Sequence, residues 1–208
     1  MQALIAAAAQ LRERAGAPRA RDGSALPALI LVTDAARHPD PLPAVGRLPQ
    51  GSAVLLRDYE HPERAALAGA LADACRLRGL ALWVGADVEL ARSVNARALH
   101  LRERDLVAMR PARWHGVLTA AAHSAVALQR AHAIGADAAV LAPVFATASH
   151  PRSPSLGPAQ VRALVRGAGL PVLALGGIDA DNVARLLDCG VAGIAAVGAF
   201  IPRRGAGP

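Results

Sequence analysis

Residues 170–201 read LPVLALGGIDADNVARLLDCGVAGIAAVGAFI, and this stretch decides the fold that we expect. A continuous apolar run over 171–175, which suits a strand buried on both faces, stops at Gly176-Gly177. An amphipathic segment follows, and a second apolar run over 191–197 ends at Gly198-Ala199. The pattern predicts two parallel strands joined by a helix, each ending in glycine at its carboxyl edge.

Glycines at the carboxyl ends of neighbouring parallel strands predict an anion site. Without a Cβ the backbone can approach a ligand closely, and its N–H groups can donate to a phosphate. In (β/α)8 barrels the loops after strands 7 and 8 often bind phosphate. We therefore expect a phosphate at Gly176, Gly177, Gly198 and Ala199, here called the glycine cradle. The alternative, that these residues only make tight turns, stays open.

Eight apolar runs alternate with helical segments along the chain, which predicts an α/β protein with a parallel sheet. Eight units indicate a single small (β/α)8 TIM barrel with an N-terminal helical extension. A doubly wound open sheet is the alternative, but Gly-x-Gly-x-x-Gly does not follow the first strand. The predicted strands are 28–32, 52–56, 80–84, 98–101, 116–119, 138–142, 171–175 and 191–197.

The predicted barrel spans residues 28–201, between two short end segments. Residues 1–27 read as a helix and loop extension, and 202–208 as a C-terminal tail. The first residues lack a basic segment before their apolar part, so we expect no signal peptide. In the connection before the last strand, Asp179 predicts the N-cap of an amphipathic helix.

Composition narrows the class of partner. The net charge is +7, and all 23 basic residues are arginines scattered along the chain. Without a basic patch, and with only 2% aromatic residues for base stacking, nucleic acid is a poor candidate and small anionic substrates fit better. No apolar run is long enough for a membrane span. Cys75 and Cys189 lack metal or redox spacing, which favours a cytoplasmic location.

Polar residues at the carboxyl ends of the predicted strands are candidates for chemistry. Arg57 follows the second strand and would lie over the barrel mouth, although an ion pair with Asp34 or Asp58 is an alternative. Asp105 is a candidate Mg²⁺ ligand or a helix N-cap. His123 follows the fifth strand and is either an acid/base group or an exposed residue without a role.

A polar loop after the sixth strand adds further candidates. Thr147, Ser149, His150 and Arg152 lie within six residues of one another. Hydroxyl and guanidinium groups are suitable donors to a diphosphate. A polar surface loop without a ligand is the alternative.

Several short motifs occur in a particular order along the chain. They are ILVTD (30–34), LLRD (55–58), DVELA (87–91), ALHLRERD (98–105), GAD (135–137), APVFATASH (142–150), LG (156–157) and ALGGI (174–178). Their order and spacing resemble the thiamine-phosphate synthase and TenI-like superfamily, from about residue 28 to 201. This resemblance implies a (β/α)8 barrel. It implies either a synthase, which joins a pyrimidine diphosphate to a thiazole phosphate with loss of pyrophosphate and uses Mg²⁺, or an isomerase.

The resemblance implies roles for individual residues. Arg57 matches an arginine on the diphosphate side, and Asp105 matches a magnesium ligand. Thr147 and Ser149 match a hydroxyl pair, and the glycine cradle falls on the thiazole-phosphate site.

Departures from the family pattern keep other functions open. Leu55 and Tyr59 stand where the synthases have Gln and Lys, and His150 replaces a loop lysine. Gly85-Ala86 replaces an Asn-Asp pair, which removes the second magnesium carboxylate. A synthase has to neutralise a departing pyrophosphate, and His150 with Arg152 is one hypothesis for how it does so here.

Synthase activity on small phosphorylated heterocyclic substrates is the expectation, with two alternatives. A TenI-like tautomerase would use His123, which lies close to the family's proton-transfer histidine. A non-catalytic barrel that binds a phosphorylated ligand is the other. The sequence leaves the oligomeric state open, and a homo-oligomer is compatible with it.

Overall fold

Eight short strands form the centre of the computed structural model, which describes residues 1–106, 111, 113–147, 154–198 and 200. They are β1 Leu29–Val32, β2 Ala53–Leu56, β3 Ala81–Gly85, β4 Ala98–Leu101, β5 Val117–Ala122, β6 Ala138–Leu141, β7 Val172–Leu175 and β8 Gly193–Ala196. All neighbours are parallel and follow chain order, and β8 pairs with β1 through Ile194 and Leu29. The predicted barrel is confirmed, and the open sheet is excluded because the ring closes.

Alternate residues of each strand face the barrel interior and the helix layer. In β5, Val117 belongs to the interior core, whereas Leu118 and Ala120 pack in the outer core beneath the helices. The interior is filled by small and aliphatic side chains around Trp83. This alternation continues past the strand ends, so it also determines which side chains reach the barrel mouth.

Helices cover the outside of the barrel. Asp87 and Ser124 cap the helices that follow them by accepting hydrogen bonds from backbone N–H groups three residues on, at 2.9 and 3.1 Å. No helix in the described ranges is long and apolar enough to cross a membrane. The helices are α1 Gln2–Arg14, α2 Leu42–Val45, α3 Arg64–Arg78, α4 Val88–Ser93, α5 Ala125–Ala133 and α6 Gly157–Arg166, with 3₁₀ turns at Glu103–Asp105 and Val183–Leu186.

The connection between β7 and β8 differs from the prediction. The amphipathic helix expected there is only the 3₁₀ turn Val183–Leu186. Asp179 does cap the segment, since its Oδ1 accepts hydrogen bonds from the N–H groups of Asp181 and Asn182. The Asn182 amide donates to the carbonyl of Gly177 at 2.7 Å, which holds the segment against the strand end. Asp105, for which a helix N-cap is one alternative from the sequence, is the last residue of the 3₁₀ turn Glu103–Asp105, and residues 107–110 lie outside the described residues.

Helix α1 packs against β8 and the 3₁₀ turn Val183–Leu186. Its buried face consists of Leu4, Ala7, Ala8 and Leu11, and its last residue, Arg14, forms an ion pair with Asp188. The predicted N-terminal helix therefore covers the flank of the last strand and is part of the barrel wall.

Candidate active site

A cavity of about 890 Å³ lies at the carboxyl ends of the strands, the end at which barrel enzymes carry their active sites. Its volume is within the range of about 300–1,000 Å³ that is typical of small-molecule sites. The predicted site residues that line it are Arg57, His123, Thr147, Gly176, Gly177 and Gly198. Asp105 is absent from the lining. Four further predicted residues, Ser149, His150, Arg152 and Ala199, lie outside the described residues.

Within the glycine cradle, Gly176 and Gly177 have left-handed φ angles of 105° and 64°. A Cβ on Gly177 would collide with the carbonyl oxygen of Ala146, and one on Gly176 would lie 2.9 Å from Cα of Pro143. Contact between the loops after β6 and β7 therefore requires glycine at both positions. A Cβ on Gly198, by contrast, would have no described atom within 4 Å. Gly198 is the member of the cradle whose lack of a side chain is not explained by packing.

Arg57 combines the two roles that the sequence left open. Its Nη2 lies 3.1 Å from Oδ2 of Asp34, and its side chain remains about one-third exposed on the cavity wall. Arg37 also lines the cavity, with its Nε 3.6 Å from the same carboxylate oxygen. The hydroxyl of Thr33 accepts a hydrogen bond from the backbone N–H of Arg57, which fixes the start of the loop. Two guanidinium groups that share one carboxylate line this side of the cavity, where they can donate hydrogen bonds to an anion.

Asp105 is held by Arg102. Nε of Arg102 lies 2.5 Å from one carboxylate oxygen and Nη2 lies 3.3 Å from the other, a two-point ion pair across the 3₁₀ turn. The hydrogen bond to Asp105 raises the pKa of Arg102. Arg102, and not Asp105, faces the cavity.

Tyr59 packs beside this ion pair. The Arg102 guanidinium lies 5.1 Å from the Tyr59 ring centroid and that of Arg64 lies 5.9 Å from it, both as cation–π contacts. The ring also covers the end of β3, because a Cβ on Gly85 would lie 2.8 Å from Cε1 of Tyr59. Burial raises the pKa of the Tyr59 hydroxyl, while the charges of Arg57, Arg102 and Arg64 oppose that rise. Guanidinium groups from β2 and β4 thus approach the same phenol.

The described residues do not fit the Mg²⁺ site that the resemblance implies. Mg²⁺ requires several oxygen ligands, usually one or two carboxylates with water and phosphate oxygens. The described ranges contain no group of three or more His, Cys, Asp or Glu side chains that could hold a metal. Both oxygens of Asp105 bind Arg102, and Gly85-Ala86 supplies no second carboxylate.

His123 is exposed but not isolated. Its Nδ1 lies 2.6 Å from Oε2 of Glu103, and its backbone N–H donates to the same oxygen at 2.8 Å. Both residues line the cavity. A carboxylate beside Nδ1 orients the imidazole, an arrangement suited to proton transfer through Nε2.

His100 is a site residue to which the sequence assigned no role. It is buried in β4 at the base of the cavity, with its Nδ1 2.9 Å from the hydroxyl of Thr119. Burial, and then the charge of Arg57, lower the pKa of His100 to about 4, so its ring is neutral at neutral pH. The alternation of strand side chains predicts both His100 and Arg102 at the mouth, because Ala98 of the same strand faces the interior.

Comparisons with known proteins agree with this fold and cavity. The sequence model described as thiamine monophosphate synthase matches residues 29–200. The thiamine-phosphate synthase of Bacillus velezensis is 30% identical over 172 residues, covering 77% of each chain. That of Geobacillus thermodenitrificans is 33% identical over 155 residues, covering 73% of this chain and 68% of the relative.

A solved structure supports the same assignment. The thiamine phosphate pyrophosphorylase of Pyrococcus furiosus superposes with a TM-score of 0.68 and 26% identity, covering 81% of this chain and 84% of the other. Three observations lead to one conclusion. The eight-strand barrel is closed, the family model matches nearly all of it, and the relatives are about one-third identical to this chain. This chain belongs to the thiamine monophosphate synthase family.

Proposed function

We propose that this protein is a thiamine-phosphate synthase, a transferase of thiamine biosynthesis that couples a pyrimidine diphosphate to a thiazole phosphate and releases pyrophosphate. The observation that carries the proposal is that two groups of residues able to bind anions line one cavity. Arginines follow β2 and β4, and the glycine cradle follows β7 and β8. In a ring of eight strands β4 lies opposite β8, so two phosphorylated substrates can approach each other from opposite sides.

The reaction breaks one bond and forms another without moving a proton. The bond between the pyrimidine's substituent carbon and the diphosphate oxygen breaks, and both electrons leave on the diphosphate. The lone pair of the thiazole ring nitrogen forms the new carbon–nitrogen bond, so that nitrogen becomes cationic. Charge therefore builds up on the diphosphate, and Arg57 supplies a fixed cation beside it.

The thiazole phosphate is assigned to the glycine cradle. Backbone N–H groups at the ends of parallel strands 7 and 8 are a common phosphate site in barrels. The hydroxyl of Thr147, on the neighbouring loop, lines the same end of the cavity. Ser149, His150, Arg152 and Ala199 retain the roles predicted from sequence, as donors to phosphate and, for His150, as a catalytic group.

Product formation tests the proposal directly. Purified protein is mixed with the pyrimidine diphosphate and the thiazole phosphate in Mg²⁺ buffer, and thiamine phosphate is measured by chromatography. Arg57→Gln should lower kcat/KM by about 10- to 100-fold, because a charged donor to the leaving group is lost. Arg76→Gln is the matched control, since Arg76 is 72% exposed on α3 and pairs only with its neighbour Asp73 among the described residues. A folded wild-type protein that forms no product would refute the proposal.

Thiazole-phosphate tautomerisation is the second candidate function, and the pairing of His123 with Glu103 favours it. A tautomerase moves a proton and needs an oriented acid/base group with a phosphate grip, both of which this cavity offers. His123→Ala should abolish tautomerisation while leaving coupling of the two substrates much less affected. Isomerisation at the wild-type rate in that variant would exclude His123 as the proton carrier.

Three properties of the whole protein accompany the proposal. We expect a cytoplasmic enzyme, which is consistent with two buried cysteines that form no disulfide. The division into an extension at 1–27, a catalytic barrel at 28–201 and a tail at 202–208 is proposed from sequence. A homo-oligomer stays a prediction, which light scattering on the purified protein would test.

A further inference from the structure

The Arg102–Asp105 ion pair occupies the place at which the family resemblance implies a magnesium ion. Asp105 is the sole carboxylate left of the implied metal pair, and Arg102 binds both of its oxygens. The guanidinium itself lines the cavity and remains 28% exposed. A magnesium ion at this place would need the carboxylate of Asp105 as a ligand, but that carboxylate is already bound to the permanently charged guanidinium of Arg102.

The space beside the missing carboxylate is also filled. Ala86 stands where the resemblance implies that carboxylate, and Tyr59 covers the preceding residue, Gly85, so closely that a Cβ there would lie 2.8 Å from its ring. Behind the ring, Arg64 donates to the carbonyls of Asp58 and Gly85 and binds Asp87, so it is held in place as a packing element. The face of the ring beside the cavity is occupied by Arg102. Aromatic and guanidinium groups thus fill the space between β2, β3 and β4.

We propose that Arg102, together with Arg57, binds the diphosphate in place of Mg²⁺, and that the protein handles this group without a metal. The inference rests on the proposed synthase function and deepens it by naming what neutralises the leaving group. Among the described residues, the bonds to Asp105 use only part of the guanidinium's N–H donors, and the remainder are available to phosphate oxygens. Arginine stays protonated at every working pH and binds phosphate by two parallel hydrogen bonds.

Asp105 has a positioning role in this scheme. Its carboxylate orients the Arg102 guanidinium toward the cavity, as a second carboxylate, Asp34, does for Arg57. In each pair the arginine lines the cavity and the carboxylate does not. Arg37 adds a further guanidinium on the Asp34 side. The repeated arrangement supplies several fixed positive charges for one diphosphate.

The test measures binding and turnover without metal. Inorganic pyrophosphate is titrated into the full-length protein by calorimetry in EDTA, and thiamine phosphate formation is measured in EDTA and in Mg²⁺. We expect pyrophosphate binding in EDTA and a wild-type rate that changes less than about twofold when Mg²⁺ is added. Arg102→Gln should weaken pyrophosphate binding about 10- to 100-fold, and Arg102→Lys should restore only part of it. Arg76→Gln, which removes the same charge from a side chain on α3 that is 72% exposed to solvent, should bind normally.

Each outcome distinguishes this inference from the proposed function. Product that forms only when Mg²⁺ is present overturns the inference and leaves the synthase function intact. Arg102-dependent pyrophosphate binding in EDTA, with no thiamine phosphate under either condition, supports the inference and overturns the synthase function. Equal loss of binding in Arg102→Gln and Arg76→Gln overturns the inference too, because the protein's general positive charge would then account for the effect.

Discussion

Alanine substitutions at two glycines of the cradle should separate packing from ligand binding. At Gly177 an added Cβ enters a left-handed conformation, which costs roughly 1–2 kcal/mol. It also collides with the carbonyl oxygen of Ala146, and overpacking of this kind typically costs about 1–3 kcal/mol. Gly177→Ala should therefore destabilise the protein by about 2–5 kcal/mol. For a domain of this size that corresponds to a fall in Tm of roughly 5–20 °C.

Gly198→Ala should have the opposite effect: it should weaken ligand binding without destabilising the protein. A Cβ there meets no described atom within 4 Å, and φ is not left-handed, so the free energy of unfolding should change by less than about 0.5 kcal/mol. The methyl group would extend into the cavity and obstruct a phosphate that lies against the backbone. Loss of one hydrogen bond to a charged ligand corresponds to about 10- to 100-fold in affinity.

Two measurements separate the effect on stability from the effect on ligand binding. Circular dichroism follows thermal unfolding, and calorimetry measures the binding of the thiazole phosphate. Gly69→Ala is the control, because Gly69 lies in α3 with no described atom within 4 Å of an added Cβ, and alanine should slightly stabilise that helix. Unchanged affinity in Gly198→Ala would refute the phosphate assignment. A wild-type Tm in Gly177→Ala would refute the packing argument.

Three further predictions concern stability. The pKa of His100 is lowered in the folded state, so below pH 6.5 the unfolded chain takes up more protons than the folded protein and stability falls with pH. In denaturant titrations, the free energy of unfolding of the wild type should therefore fall by about 2 kcal/mol more than that of His100→Gln between pH 7 and 4.5. Leu11→Ala should lower the free energy of unfolding in urea by about 2–5 kcal/mol, because Leu11 is buried. Leu77→Ala, on the exposed face of α3, should leave it almost unchanged. Asp137→Ala should lower the free energy of unfolding measured by calorimetry by about 2–4 kcal/mol, because two backbone N–H groups that donate to this buried carboxylate lose their acceptor. An unchanged Tm would contradict this prediction.

The barrel could be predicted because its strands are continuous apolar runs separated by short helical segments. That same continuity hides side-chain direction, since a strand buried on both faces shows no polar alternation. The direction is recoverable only from residues just past the strand ends. Leu55 faces the interior, so Arg57 and Tyr59 at steps of two must reach the mouth, and the same count places His123 beyond Val117.

The partners of these side chains could not be predicted in the same way. Glu103 and His123 are 20 residues apart and meet because the loops after β4 and β5 adjoin, which depends on the parallel pairing of those two strands. The Arg102–Asp105 pair is local, but a helix N-cap and a metal ligand were equally compatible with Asp105. The role of Gly177 required the position of Ala146, which belongs to a different loop. Sequence thus identified the candidates at the mouth, and tertiary packing determined their chemical state.

The placement of α1 on β8 has a consequence for how the barrel folds. Helix α1 packs on the last strand of the barrel, and its residue Arg14 pairs with Asp188, 174 positions further along the chain. The apolar face of α1, which includes Leu4 and Leu11, therefore has no β8 to pack against until that strand is in place. Contacts between residues so far apart in sequence raise the contact order, which slows folding. Fragments of this chain that end before β8 should expose this apolar face to chaperones and to other chains.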